Sequence, residues 1–208
     1  MLNDVLLIEQ KHTDVANQIV ELVFEKLGER PIIAISGESG SGKSELSFCL
    51  AKALEKKGLK SKIMHSDNLY KVKPTNLSKW RAENGFDKIG PNEYNWDTIK
   101  RIVKSFKNKE ICQSPCVDLV TQQVDQLITD FSGVDVLVMD GLYAINMDNL
   151  DVAILIDITY HQTKKAQLRR GKETLNEFRL KVLEAEHNAI QSIRNKATIL
   201  INQDYQVV

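Results

Sequence analysis

The stretch Pro31-Ile32-Ile33-Ala34-Ile35-Ser36-Gly37-Glu38-Ser39-Gly40-Ser41-Gly42-Lys43-Ser44 decides the fold. Its first six residues are mostly apolar and partly β-branched, which reads as a buried strand. Gly37 to Ser44 then satisfies G-x-x-x-x-G-K-[ST] at every fixed position. Beyond it, Leu46, Cys49, Leu50, Ala53 and Leu54 recur at helical spacing. Strand, glycine loop and helix therefore stand in the order a phosphate-binding loop needs. The glycines let successive backbone N–H groups turn inward on a phosphate, and the helix adds its positive N-terminal end. The expected donor site is Gly37, Glu38, Ser39, Gly40, Ser41, Gly42, Lys43 and Ser44. Lys43 would reach the β- and γ-phosphates of ATP and act in catalysis, and the Ser44 hydroxyl would ligate Mg2+.

Working outward, the segment before the loop holds a possible short strand or packing arm at Val5-Leu6-Leu7-Ile8. From an N-cap at Thr13 or Asp14, Val15, Ile19, Leu22, Val23 and Leu27 mark one helical face that Gly28 closes. After the loop's helix, Ser61–His65 reads as a second strand running into Ser66-Asp67-Asn68-Leu69-Tyr70. Residues 71–95 are polar and irregular, with a short helix around Leu77 to Glu83; a stretch this long without periodicity reads as a substrate-covering segment. Ile99, Ile102, Val103 and Phe106 form a helical stripe that Asp97 would cap. Val117–Val120 and Gln123–Ile128 read as a hairpin, and Val134–Met139 and Val152–Ile158 as buried strands. A basic run follows (Lys164, Lys165, Arg169, Arg170, Lys172), then a long helix marked by Leu175, Phe178, Val182, Ala185, Ala189 and Ile193, and a last strand at Ala197–Ile201.

Strands separated by helices predict an α/β fold. The expected form is one domain over residues 1–208, a P-loop NTPase-type three-layer αβα sandwich with a five-stranded parallel sheet in the order 2-3-1-4-5. An N-terminal arm and helix (1–30), a substrate-side segment (68–97) and a lid (160–174) would complete it.

The 208 residues carry 28 Lys plus Arg against 28 Asp plus Glu, and this balance argues against a protein that coats nucleic acid. A 42% hydrophobic content is enough for a real core. Cys112 and Cys116 lack a second Cys/His cluster that would complete a zinc site, and Cys49 falls on the apolar face of the post-loop helix. The start of the chain has no positively charged leader, and no apolar run approaches the ~20 residues that span a bilayer. A cytoplasmic protein with reduced thiols is expected. Its partners would be ATP and a small-molecule acceptor, without nucleic acid or membrane; a homo-oligomer is allowed.

In open parallel sheets ligands bind beyond the carboxyl ends of strands. Asp140, straight after an apolar strand, suits the Walker-B role beside Mg2+, and Asp67 suits the base that takes a proton from an attacking hydroxyl. Asp157 reads as a structural aspartate. Arg169 and Arg170 are candidates to close on the ATP phosphates, because a planar guanidinium matches phosphate oxygens better than a lysine does. No Asn-Lys-x-Asp run for guanine recognition is present.

These residues together resemble the uridine kinase and phosphoribulokinase group of P-loop kinases. The resemblance rests on Gly37 to Ser44; on His65-Ser66-Asp67-Asn68-Leu69-Tyr70-Lys71; on Gly90-Pro91-Asn92-Glu93-Tyr94-Asn95-Trp96; on Pro115-Cys116-Val117-Asp118; and on Val138-Met139-Asp140-Gly141-Leu142-Tyr143-Ala144. It implies ATP-dependent phosphorylation of a nucleoside or sugar-like hydroxyl, with Asp67 as the base and Tyr70, Tyr94, Asn95 and Gln122 on the acceptor side. The chain departs from the group at Val117, where a tyrosine is usual, and near Gln122, where a histidine contacts the base. It also has Asp140 for a usual Glu, Asn95 for a usual Asp, and Lys164 and Lys165 where arginines are common. The phosphotransfer machinery is thus matched more closely than the nucleoside pocket. An adenylylsulfate-type kinase and a non-catalytic ATP-binding regulatory module stay open as alternatives.

Overall fold

The computed structural model describes residues 5–121, 123–163 and 176–208. Strand β1 (Ile32–Gly37), followed by the glycine loop and helix α2 (Lys43–Lys56), lies in the middle of a five-stranded parallel sheet. The other parallel strands are β2 (Ser61–His65), β5 (Val136–Asp140), β6 (Val152–Ile156) and β7 (Ile199–Ile201). The sheet order is β2-β5-β1-β6-β7, which is 2-3-1-4-5 when the parallel strands are counted along the chain. Every residue of β1, β5 and β6 is buried, as a parallel sheet covered on both faces requires.

The period-two alternation of a strand sorts these side chains between two cores. Ile33, Ile35, Val138 and Ile154 face α2 and helix α1 (Gln10–Val23). Ile32, Ala34, Leu137, Met139 and Leu155 face the opposite layer. There they meet Ile99, Ile102 and Phe106 of helix α4 (Trp96–Lys107) and Ile190 and Ile193 of helix α5 (Glu177–Ile193). Arg30 closes the lower edge on this side. Its guanidinium, stacked over Phe106, donates to the carbonyls of Phe106, Phe131 and Val134, so three backbone segments share one buried cation.

Several local expectations need correction. Residues 5–9 form no strand, and the Leu7 N–H donates to Glu45 Oε1 at 3.2 Å. Helix α1 begins at Gln10, with Glu9 as N-cap and His12 returning a bond to it, so Thr13 and Asp14 lie inside the helix. Leu22, expected on the apolar face, is largely exposed. The N-cap of α4 is Asn95 and not Asp97, since Asn95 Oδ1 accepts from the Thr98 N–H at 3.1 Å. The hairpin exists, but its strands are β3 (Ile111–Val117) and β4 (Val124–Asp130), paired antiparallel from Ile111↔Asp130 to Val117↔Val124. The short helix of the substrate-side segment, α3, runs over Pro74–Asn84, longer than Leu77 to Glu83 and started by proline at N1. Gln122, Lys164, Lys165, Arg169, Arg170, Lys172 and Leu175 lie outside the described residues. Among the described residues no helix is long and apolar enough to cross a membrane.

Candidate active site

The glycine loop leaves β1 and enters α2 at Lys43, so the expected phosphate cradle sits on the N-terminus of a 14-residue helix. Gly42 has φ +95, and a Cβ there would lie 2.8 Å from Tyr205 Oη and 3.0 Å from His12 Nε2. No larger residue fits. Lys43 Nζ donates to the Glu38 carbonyl at 3.0 Å, folding back over the loop. Glu38 itself is buried: Oε2 accepts from the Tyr160 N–H at 2.5 Å, and Oε1 lies 2.7 Å from His187 Nδ1. Thr163 Oγ1 also donates to the Ser39 carbonyl at 2.8 Å. Residues 160–163 and, through His187, helix α5 are therefore fastened to the loop.

Strand register brings the acidic residues to the same edge. Ile35 and His65 both pair with Asp140, which ends β5 between the loop strand and β2. The Asp140 carboxylate is buried, with His65 Nδ1 2.5 Å from Oδ1 and Ser47 Oγ donating to Oδ2 at 3.0 Å. Burial works against its charge. The hydrogen bond and charge of His65, the Ser47 hydroxyl and Lys43 outweigh that and hold the carboxyl below the usual aspartate range. His65 and Ser47 had not been assigned from sequence. The signal for Ser47 is its spacing, one helical turn after Lys43 on the same face.

Asp67 lies in the turn Ser66–Asn68 after β2. Tyr94 Oη donates to Asp67 Oδ1 at 2.7 Å, and Ser66 Oγ stands 3.1 Å from Tyr94 Oη and 2.9 Å from the Asp140 carbonyl. Gly141 makes room for this group. Its φ is +155, and a Cβ there would collide with Ser66 Oγ and lie 2.9 Å from Tyr94 Oη and 3.1 Å from Asp67 Oδ1. Gly141→Ala should lose about 1–3 kcal/mol of stability through strain and displacement of this trio, measurable by urea unfolding beside the parent chain.

The acceptor-side expectations divide. Tyr70 is half-buried and edge-on to Tyr94 at 4.8 Å, near Asp67; burial first, then the Asp67 charge, pushes its phenol up. Tyr94, expected to touch substrate, is fully buried, because its ring fills the core between Tyr70, Trp96 and Tyr143. Asn95 spends its Oδ1 on the helix cap. Val117 is buried, and its N–H donates to Asn68 Oδ1 at 3.0 Å. Asp157 pairs with Arg194 at 2.7 Å, a structural role.

A buried ion network backs this side, and sequence reasoning missed it. Arg81 of α3 forks onto Glu93 (2.7 and 2.9 Å) and reaches Glu186 of α5 at 2.9 Å; Arg179 adds a longer contact of 3.4 Å. Beside it the Tyr143 hydroxyl is buried without a hydrogen-bond partner among the described residues.

A sequence model of the phosphoribulokinase/uridine kinase family matches residues 32–171, from the loop strand into the basic run. The chain belongs to this family. A uridine kinase of Staphylococcus aureus (strain JH9) is 28% identical over 130 residues, covering 61% of this chain and 61% of that relative. The match thus spans less than two thirds of the relative's own length. Among solved structures, a possible uridine kinase from Bacillus stearothermophilus superimposes with a TM-score of 0.68 at 16% identity, over 90% of this chain and 97% of that one. Phosphoribulokinase from Rhodobacter spheroides gives 0.62 at 14%, over 83% and 70%. The D-glycerate 3-kinase of Cryptococcus neoformans gives 0.60 at 12%, over 96% and 97%. At these identities the likeness is one of fold: a five-stranded parallel sheet with helices on both faces.

Proposed function

We propose that this chain is an ATP-dependent kinase that moves the γ-phosphoryl group to a hydroxyl of a small nucleoside or sugar-like acceptor. The observation that carries the reading is the carboxyl end of the parallel strands, where a complete phosphate loop follows β1 and a held, half-buried carboxylate, Asp67, follows β2. Loop backbone N–H groups and Lys43 bind the donor phosphates, and Arg169 and Arg170 are assigned to neutralise charge as transfer occurs. The acceptor O–H gives its proton to Asp67 while its oxygen bonds to the γ-phosphorus. The bond from that phosphorus to the bridging oxygen breaks, and ADP leaves. The anionic Asp140 beside Lys43, with the Ser44 hydroxyl in the first turn of α2, fits a divalent cation. Bound Mg2+ would be held by Ser44 and Asp140 and would supply charge neutralisation between the phosphates. We assign Tyr70 and Gln122 to the acceptor side, and one domain over residues 1–208 in the cytoplasm.

The acceptor is tested with the probes that the relatives and the loop motif suggest. The purified chain with ATP and Mg2+ is offered uridine, D-glycerate and adenylylsulfate in turn, and ADP release and phosphorylated product are measured. The expected result is acceptor-dependent ADP with matching product for an alcohol acceptor. Product with adenylylsulfate alone would move the substrate class. Hydrolysis indifferent to every acceptor, with protein binding that follows the nucleotide, would replace the kinase reading by a regulatory module.

A further inference from the structure

Tyr94 was expected at the acceptor but is fully buried, and its hydroxyl then needs another reason to be there. A phenylalanine would fill the same apolar space between Tyr70, Trp96 and Tyr143. Burying a phenolic O–H is unfavourable unless it finds a partner. The partner it finds is Asp67 Oδ1, at 2.7 Å and 27 residues away. Burial, and after it the Asp67 charge, holds the Tyr94 phenol well above its usual range, so it stays protonated and acts as a donor.

The donor is held rigidly. The Asn95 N–H donates to the Leu69 carbonyl at 2.7 Å and the Lys71 N–H to the Glu93 carbonyl at 2.8 Å, zipping residues 69–71 onto 93–95 with Tyr70 and Tyr94 bridged between them. Ser66 Oγ and the missing Cβ of Gly141 fix the hydroxyl from the other side. Among the described residues no other hydrogen bond to Asp67 is present, so one carboxylate oxygen is tied and the other is left for chemistry. We propose that Tyr94 is a positioning residue that orients the base, tying Asp67 Oδ1 so that Oδ2 faces the acceptor hydroxyl and takes its proton. This inference rests on the kinase reading above.

Tyr94→Phe removes one oxygen from a ring that stays packed, so the fold is expected to survive. With whichever acceptor gives product, kcat should fall about 10- to 100-fold, the scale of a misplaced catalytic group, with KM for ATP within about twofold. On an Asp67→Asn background the same change should cost almost nothing further, since residues acting as a unit are not additive. Tyrosine labelled at Cζ gives a readout independent of turnover: the resonance absent from Tyr94→Phe should move in Asp67→Asn. A Tyr94→Phe enzyme with parental kcat overturns the inference and leaves the kinase reading intact. So does an equal loss on both backgrounds, or a Tyr94 resonance indifferent to Asp67→Asn. Absence of transfer by the parent chain to every acceptor would instead sink the kinase reading.

Discussion

Asp67→Asn should lower kcat for phosphoryl transfer by ~10²–10⁴-fold to a small residual rate, while binding of a non-hydrolysable ATP analogue stays within about twofold. Asparagine keeps the size of the side chain and can still accept from Tyr94 Oη through its carbonyl oxygen, which separates geometry from basicity. What it lacks is a carboxylate oxygen able to accept the proton of the acceptor hydroxyl. The phosphate cradle is built from Gly37–Ser44 and the first turn of α2, none of which depends on Asp67. Calorimetric titration with the analogue, beside the acceptor-dependent ADP assay, checks both halves. Parental turnover in Asp67→Asn would remove Asp67 from the chemistry.

Arg81→Ala should be the most destabilising single change among those considered, by about 3–5 kcal/mol, because it strands buried carboxylates. The side chains of Arg81, Glu93 and Glu186 are 6%, 1% and 4% exposed. Burial opposes the guanidinium charge, but Glu93 and then Glu186 outweigh it, so the arginine stays protonated. Among the described residues, removing it leaves Glu93 with the Gly90 N–H at 3.2 Å and Glu186 with the longer contacts of Arg179. For a chain of this size each kcal/mol shifts Tm by about 2–4 °C, so thermal unfolding should drop by roughly 6–20 °C. Replacing Arg81, Glu93 and Glu186 together by Met, Met and Leu should recover most of that loss, since no buried charge is then unpaired. A triple variant no better than Arg81→Ala would show that packing, and not stranded charge, carries the effect.

The parallel sheet was legible because β1, β5 and β6 are continuous apolar runs, and Asp140 follows from where the β5 run stops. Local chemistry was legible wherever the partner is near in sequence, as in the glycine loop. What stayed hidden depends on partners far along the chain. Nothing near Tyr94 says that its hydroxyl meets Asp67, and nothing near Arg81 points to Glu186, 105 residues away. Helix α3 was legible only in part for a related reason: it buries Arg81 and no apolar stripe, so no hydrophobic period marks its full extent from Pro74 to Asn84. Strand β3 hid because its inward side chains are Cys112, Ser114 and Cys116, with Pro115 between them, a weak signature for a strand. At helix α4, Asp97 and Asn95 are both acceptable caps by composition, and only the backbone geometry selects Asn95.

The order of strands in the sheet bears on how the molecule is made. Synthesis delivers the central strand β1 early, yet the strands on either side of it, β5 and β6, come roughly a hundred residues later, which at about 5–20 residues per second is several seconds of translation. Through that interval a strand with every side chain destined for the interior has no edge to pair with. The nascent chain therefore carries a mostly apolar strand, the one that leads into the glycine loop, without its sheet partners throughout that interval. Codon changes that slow elongation between residues 60 and 136 should raise the insoluble fraction on expression, and a holdase chaperone should relieve it.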